Sequence, residues 1–434
     1  MKRIISEHLQ NWKNRGKRKP LLVRGARQVG KTWAIRNLGK EFQNFVEINL
    51  EAMPRLVPIF ENEFSNPEIL IQQLSLILNV KIEAKKTLLF LDEIQVSKFS
   101  LLSLRYFYEK MPELHVIAAG SLIEFLLEKE GMPVGRVEYI YMYPLNFKEF
   151  LIALGEENLC DLKASQLTLE LSKKLENLLK TYFFVGGMPE VVNQYLENKD
   201  LINCAQIQNQ IINTYRDDFL KYARKNLIPN VQKVFELIPR YFSQKFKYSN
   251  VDSDSSSREI KEALEVLVKA NIALKCSHSS GNGVPLGSEV DLKKFKVFFL
   301  DIGLSLNILG VKMNDYPILK FEALVNKGGL VEQFVAQEII SNQEFFRGPE
   351  LYYWHREEKS STSEVDFLTS NGETIIPLEV KSGLNKGKKS LAIFMEEKKS
   401  TRGFLLSLDY QISVHKKVTN WPLCYWALQK DWNN

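Results

Sequence analysis

Cysteine is scarce in this 434-residue chain, and the few that occur do not cluster. Cys160, Cys204, Cys276 and Cys424 are scattered, and no two of them form a CxxC pair. This spacing excludes the disulfide framework of a small secreted domain, and it gives no sign of a zinc site. Isolated cysteines are typical of proteins in a reducing cytosol.

Long apolar runs are also missing. No stretch approaches the roughly 20 apolar residues of a membrane-spanning helix, and residues 1–18 lack the apolar core of a signal peptide. The excess of positive charge is small, because 58 basic and 52 acidic side chains leave a net charge of +6. Such a charge permits nucleic acid as a partner without requiring it. We therefore expect a cytoplasmic protein of two or three domains that has no membrane partner.

A glycine-rich loop lies between a short apolar strand and a predicted helix. Residues 20–32 are PLLVRGARQVGKT, which contains the pattern G-x-x-x-x-G-K-[ST] from Gly25 to Thr32. In that pattern backbone N–H groups surround phosphate groups, beside the positive end of the following helix. Lys31 reaches the terminal phosphates and Thr32 coordinates Mg²⁺. The predicted nucleotide-binding residues of the loop are Gly25, Ala26, Arg27, Gln28, Val29, Gly30, Lys31 and Thr32.

A second apolar strand, residues 87–91, ends in Asp92 and Glu93. Continuous apolar runs are typical of strands in parallel sheets, which bind ligands at the carboxyl ends of their strands. There Asp92 would hold Mg²⁺, and Glu93 would orient and activate the attacking water. The alternative is a pair of solvated carboxylates at a strand end, and the phosphate loop upstream makes it the weaker interpretation.

A further apolar strand, residues 114–120, is followed by Ser121, whose hydroxyl would reach the terminal phosphate or the attacking water. With Gly135-Arg136 and a final strand behind them, these motifs resemble the AAA+ class of P-loop ATPases. The resemblance implies that Ser121 is a nucleotide sensor. It also implies that Arg136 acts on the nucleotide of a neighbouring copy in a homo-oligomer, and a local ion pair is the alternative. We predict this ATPase domain over residues 1–155.

The middle of the chain, residues 156–310, is predicted to form a helical lid and a winged-helix-like domain. A helix at 257–272 is followed by a Gly-rich hairpin and an apolar strand. A winged helix usually reads DNA through its second helix. Basic and acidic side chains mix from Arg258 to Lys269, however, so we favour a structural or protein-contact role over DNA reading.

The C-terminal part of the chain carries a second set of polar residues on predicted elements. Glu332 flanks the apolar face of a helix. Glu364 and Asp366 share one face of a strand, because alternate residues of a strand point the same way. Glu379 and Lys381 do the same on the following strand. Two adjacent strands would therefore bring Asp366, Glu379 and Lys381 toward one point.

Carboxylates that converge in this way are what a hydrolytic metal site on DNA needs, because they hold Mg²⁺, which polarises the phosphate and activates a water molecule. A lysine beside them orients that water. The predicted metal ligands are Glu332, Asp366 and Glu379, and Lys381 is the predicted catalytic lysine. The arrangement resembles the restriction-endonuclease-like superfamily, PD-(D/E)XK, with Val365-Asp366 in place of its Pro-Asp.

Taken in order, the motifs of the whole chain resemble a large prokaryotic family of AAA+-like ATPases with a C-terminal restriction-endonuclease-like domain. The resemblance implies an α/β protein in three parts. They are a P-loop AAA+-type parallel-sheet domain, a helical and winged-helix region, and a restriction-endonuclease-like α/β domain over residues 311–434. ATP and Mg²⁺ are the implied ligands.

Two functions stay open on this evidence. The first is an ATP-dependent enzyme whose C-terminal domain acts on DNA as a nuclease. The second is an ATP-driven switch that recruits partners and whose nuclease-like domain does not cleave. Residues 311–434 hold 16 acidic and 16 basic side chains. This balance tempers the nuclease interpretation and motivates the second function, since phosphate contacts dominate DNA affinity. The intact set of Glu332, Asp366, Glu379 and Lys381 motivates the first, in which the domain acts on or binds DNA.

Overall fold

The structure is a computed structural model that describes residues 1–130, 135–252, 255–325, 329–356, 363–381 and 389–429. Its contacts divide the chain into two compact units. Unit 1 consists of residues 1–143 with two short returns of the chain, 269–271 and 343–348. Unit 2 consists of the described residues in the segments 144–268, 272–342 and 349–434.

Unit 1 is built on a five-stranded sheet in which every pairing is parallel. Its helices are α1 (Ile5–Lys13), α2 (Lys31–Gly39), α3 (Val57–Glu63), α4 (Pro67–Leu78), α5 (Lys98–Lys110) and α6 (Ile123–Glu130). Its strands are β1 (Leu21–Arg24), β2 (Asn44–Asn49), β3 (Thr87–Asp92), β4 (His115–Ala119) and β5 (Glu138–Tyr141). The strand order is β2-β3-β4-β1-β5.

The burial of β3 and β4 explains their continuous apolar sequences. Every residue of both strands is buried, as in a parallel sheet that is covered on both faces. Side chains of β3 such as Leu89 join a core with Phe60, Leu74 and Leu104 from α3, α4 and α5. Because β4 lies between β1 and β3, the carboxyl ends of all three strands are neighbours. The predicted parallel α/β sheet is confirmed. The first segment of unit 1 runs to Tyr143, and the domain boundary at residue 155 stays a prediction.

Unit 2 combines helices with one mixed sheet of eight strands. Its helices are α7 (Phe147–Ala153), α8 (Leu169–Val185), α9 (Pro189–Asn198), α10 (Leu201–Tyr222), α11 (Ile228–Leu237), α12 (Ser257–Lys269), α13 (Ile302–Ile308), α14 (Phe321–Val325), α15 (Leu330–Ser341), α16 (Lys389–Glu397) and α17 (Leu423–Trp426). Its strands are β6 (Ala273–Ser279), β7 (Val290–Phe299), β8 (Leu351–His355), β9 (Glu364–Ser370), β10 (Ile375–Val380), β11 (Gly403–Ser407), β12 (Ser413–His415) and β13 (Val418–Pro422). The order is β12-β13-β11-β10-β9-β8-β6-β7.

The hairpin β6–β7 belongs to this sheet, because β6 pairs antiparallel with β7 and in parallel with β8. Strands predicted for the winged-helix-like region and for the C-terminal domain therefore lie side by side. A separate winged helix is not confirmed, and the predicted boundary at residue 310 does not coincide with a break in the sheet. The alternating pattern of a strand predicts the strand itself, whereas its distant partner is chosen by tertiary packing.

Two glycine-containing motifs, residues 186–187 after α8 and residues 301–303 at the start of α13, meet in the core of unit 2. Asp301 accepts a hydrogen bond from the backbone N–H of Gly187 at 2.6 Å, and another from Leu304 at the start of α13 at 2.9 Å. A Cβ on Gly187 would lie 2.1 Å from the carbonyl oxygen of Leu145. These motifs therefore serve packing between α8 and α13.

Of the helices that the structure describes, not one combines the length and the apolar character needed to cross a membrane.

Candidate functional site

The loop between β1 and α2 has the backbone that its glycines predict. Gly25 and Gly30 have φ values of 139° and 94°, in the region that favours glycine. A Cβ on Gly25 would also lie 2.1 Å from the carbonyl oxygen of Met142. Behind the loop, the buried guanidinium of Arg3 donates to the carbonyl oxygen of Val29 at 3.0 Å. The N-terminal segment thus holds the loop in place, a role for which the sequence gives no motif.

Lys31, the first residue of α2, is buried with its ammonium group against the loop. Its Nζ donates hydrogen bonds to the carbonyl oxygens of Gly25 at 2.9 Å and Ala26 at 2.7 Å. Burial lowers the pKa of Lys31 to about 8, against the attraction of Glu93 and Asp92. A phosphate anion would give this ammonium a charged partner in place of two neutral carbonyls.

Thr32 and Asp92 join the phosphate loop to the acidic strand. Thr32 Oγ1 donates to Asp92 Oδ2 at 3.1 Å. Burial and the charge of Glu93 raise the pKa of Asp92 above its ordinary value. One hydroxyl and one carboxylate fit Mg²⁺, because this ion usually takes few protein ligands and fills its shell with phosphate oxygens and water.

Glu93 follows β3 with a left-handed backbone, φ 50°, and its carboxylate is held by a neighbour. Gln95 Nε2 donates to Glu93 Oε2 at 2.6 Å. On its other side, Gln95 Oε1 lies where a Cβ on Gly120 would be, 2.0 Å from that position. Gln95 therefore contacts both the acidic turn and the end of β4. The sequence pattern gives no signal for this residue, since its role depends on the approach of a neighbouring strand.

Ser121 and Arg136 lie in different surroundings. Ser121 is buried directly after Gly120, at the carboxyl end of the strand that separates β1 from β3. Arg136 is 44% exposed, and its Nε donates to Glu109 Oε1 at 2.9 Å. Arg105 pairs with the same carboxylate at 3.1 Å. Within its own chain Arg136 thus makes the local ion pair that is the alternative interpretation, and its action on another copy stays a prediction.

The residues predicted for the C-terminal site come together in unit 2. Asp366 Oδ2 on β9 accepts a hydrogen bond from the backbone N–H of Val380 at 2.8 Å. Glu379 Oε1 on β10 lies 2.5 Å from Lys381 Nζ. Burial, with the charges of Glu332 and Glu379, raises the pKa of Asp366 well above its ordinary value. Burial also raises the pKa of Glu379, against the attraction of Lys381.

A residue that was not predicted lies among these carboxylates. Lys296 on β7 is 1% exposed, and its Nζ lies 3.1 Å from Glu332, 2.6 Å from Glu364 and 3.7 Å from Asp366. Burial lowers the pKa of Lys296, but the three carboxylates outweigh this effect and raise it well above the ordinary value. A signal for it exists in the sequence, because Lys296 shares a strand face with the apolar Phe298. A lysine on a buried face needs an anionic partner.

Comparison with solved structures finds similarity to the Orc1 protein of Aeropyrum pernix, solved in complex with DNA. The match has 12% sequence identity and a TM-score of 0.29, and it covers 71% of this chain and 90% of that chain. A match at this TM-score supports no conclusion about fold or function. A search of curated proteins found no match.

Three family models match successive parts of the chain. Residues 176–315 and 327–426 match two domains of unknown function, DUF8612 and DUF4143. Neither match identifies a restriction-endonuclease-like domain. Residues 17–151 match the AAA domain, in agreement with the parallel sheet and the loop geometry of unit 1. The chain therefore carries an ATP-binding P-loop ATPase domain of the AAA type.

Proposed function

We propose that this chain hydrolyses ATP with Mg²⁺ at the carboxyl edge of the unit 1 sheet and works as a nucleotide-controlled switch. The observation that carries the proposal is the 3.1 Å hydrogen bond between Thr32 and Asp92. It joins the loop that would hold the phosphates to the strand that would supply the catalytic carboxylate. Phosphoryl transfer depends on the positioning of these two parts.

Each residue of this edge has a distinct part in the proposed reaction. Lys31 binds the terminal phosphates, and Thr32 with Asp92 would hold Mg²⁺. When bound, the ion neutralises charge on the phosphates and on the leaving group. Glu93 orients the attacking water and accepts its proton, while Ser121 contacts the terminal phosphate or that water.

Nucleotide binding by Lys31→Ala tests the first step of this proposal. Loss of a charged partner for the phosphates should weaken ATP affinity by about 2–3 kcal/mol, on the order of 100-fold. The affinity can be measured by titration with a fluorescent ATP analogue. The matched control is Lys86→Ala, since Lys86 is an exposed lysine of the same unit in a surface ion pair. If Lys31→Ala binds ATP with unchanged affinity, the loop is not the ATP-binding site.

The second candidate is a metal-dependent phosphodiesterase that acts on DNA. One observation favours it, because Asp366 and Glu379 meet on adjacent strands with Lys381 beside them. Another opposes it, because lysine ammonium groups already pair with these carboxylates. The test is digestion of linear, branched and single-stranded DNA with Mg²⁺ and ATP. Cleavage that Glu379→Ala abolishes would establish this function. If none of these DNA substrates is cleaved, the nucleotide-controlled switch is the remaining candidate.

A further inference from the structure

A divalent metal ion at the C-terminal cluster is implied by the resemblance to nucleases, yet the residues there do not fit one. A hydrolytic metal site needs several oxygen ligands that are open to the ion. Here oxygen atoms of Glu332, Glu364 and Asp366 all lie within 3.7 Å of one ammonium nitrogen, Lys296 Nζ. Among the residues that the structure describes, no group of three or more His, Cys, Asp or Glu is arranged to hold a metal ion.

We propose that Lys296 takes the place of the metal ion, as the permanent cation of this carboxylate cluster. The cluster then has the carboxylates of a hydrolytic metal site with a lysine in place of the ion, and it stabilises the sheet without cleaving a phosphodiester. This inference goes beyond the proposed ATPase, because it concerns a separate set of residues in unit 2.

Lys296 is held in its position by its own strand. Its backbone pairs with Cys276 of β6 on one side and forms a bridge with Lys245 on the other. Its side chain is 1% exposed, with Nζ 5.4 Å from the ring centroid of Tyr353. An ammonium group that left the three carboxylates would have to enter apolar surroundings, and it would leave those carboxylates without a cation.

The ion pairs also join strands that are not neighbours in the sheet. Two strands, β8 and β6, separate β9 from β7 in the strand order. In a flat sheet β9 and β7 would be about 14 Å apart, and side chains that stand roughly perpendicular to the sheet would not meet over that distance. Contact between Lys296 and Asp366 therefore requires a strongly curled sheet. Phe298 and Phe367, with ring centroids 5.6 Å apart, are a second contact between the same strands.

The remaining carboxylate does not restore a metal site. Glu379 pairs with the second ammonium group, Lys381, at 2.5 Å. Its other oxygen atom, Oε2, is buried, and it has no hydrogen-bond partner among the residues that the structure describes. A single oxygen is too few ligands for Mg²⁺ or Mn²⁺, and the positive charges of Lys296 and Lys381 would repel either ion.

Mn²⁺ binding to the full-length, nucleotide-free protein tests this inference. All variants would carry Asp92→Asn, so that the ATPase site lacks its proposed carboxylate ligand for the ion. We expect no calorimetric Mn²⁺ binding to this parent protein at millimolar concentrations. K296Q should gain a Mn²⁺ site, and K296Q/D366N should lose at least about tenfold of that affinity. Lys294→Gln, two residues away on the same strand, is the matched control and should behave like the parent. Mn²⁺ binding by the parent that Asp366→Asn abolishes would overturn the inference.

A second measurement covers the case in which K296Q folds poorly. The melting temperature of K296Q should rise with Mn²⁺, because the ion replaces the missing cation. K296R keeps a positive charge, so its melting temperature should not respond to Mn²⁺. An equal response of the two variants would contradict the inference. ATP binding is measured separately on the chain with Asp92 intact. It reports on the proposed ATPase alone, so failure of that proposal can be distinguished from failure of the inference about Lys296.

Discussion

Gln95 donates a 2.6 Å hydrogen bond to Glu93, and its amide oxygen occupies the space beside Gly120 that a larger residue would need. The side chain thus connects the proposed catalytic carboxylate to the strand end that precedes Ser121. A base that must meet a water molecule in line with a phosphate depends on such support. We assign Gln95 as a positioning residue for Glu93.

Gln95→Ala should therefore slow ATP hydrolysis more than it weakens ATP binding. Since Glu93 keeps its carboxylate but loses the side chain that positions it, we expect kcat to fall on the order of 10-fold to 100-fold with little change in KM. Steady-state turnover with Mg²⁺ and ATP measures both quantities. Gln72→Ala, at an exposed glutamine of α4, is the control. A loss confined to KM would assign Gln95 to binding rather than to positioning.

The ion pairs of Glu109 offer a matched pair of variants for the proposed action of Arg136 on a second copy. Arg136 and Arg105 both pair with Glu109 in unit 1. If Arg136 also contacts the nucleotide of a neighbour, Arg136→Ala should lower ATP turnover about 10-fold or more, whereas Arg105→Ala should not. Turnover should also rise steeply with protein concentration. Equal effects of the two variants on turnover would contradict the proposed action of Arg136 on a second copy and assign it only to the surface ion pair.

The low pKa of Lys31 predicts a pH dependence of ATP binding. Above about pH 8 the buried lysine of the free protein loses its proton, while the phosphates of ATP favour the charged form. Binding at about pH 9 should therefore take up protons, and affinity should fall as pH rises through this range. Calorimetry in buffers of different protonation enthalpy measures the uptake. Lys31→Arg stays charged and should take up fewer protons; equal uptake by both proteins would contradict this assignment.

The contact between Gly187 and Leu145 predicts a steric defect in unit 2. Gly187→Ala would place a Cβ 2.1 Å from a backbone oxygen, so we expect a loss of stability of about 1–3 kcal/mol or more. Gly283→Ala is the control, because no described residue other than its own chain neighbours has an atom within 4 Å of the Cβ position there. Chemical denaturation of both variants measures the difference. If the two variants are equally stable, Gly187 is not required by packing.

The sequence predicted the ATPase edge well because its parts are local or follow from parallel pairing. Gly25 to Thr32 is one continuous motif, and Asp92 was expected at the same edge because parallel sheets bind ligands at the carboxyl ends of their strands. The contact between Thr32 and Asp92 agrees with that geometry.

The residues that the sequence did not reveal act through distant chain segments. Lys296 precedes Asp366 by 70 residues, and two strands separate theirs in the sheet. Strand periodicity predicts which face of the strand a side chain lies on, but not which distant residue it contacts. The predicted metal site therefore did not include Lys296. For the same reason the hairpin β6–β7 was predicted as a wing, although it pairs with β8.

ATP turnover by Glu93→Gln, measured beside its ATP affinity, decides whether this chain hydrolyses ATP as proposed. Glutamine keeps the size of the side chain and cannot accept the proton of the attacking water. We expect ATP affinity within about twofold of the unmodified chain and turnover lower by about 10²- to 10⁴-fold. Unchanged turnover in Glu93→Gln would contradict the proposed mechanism.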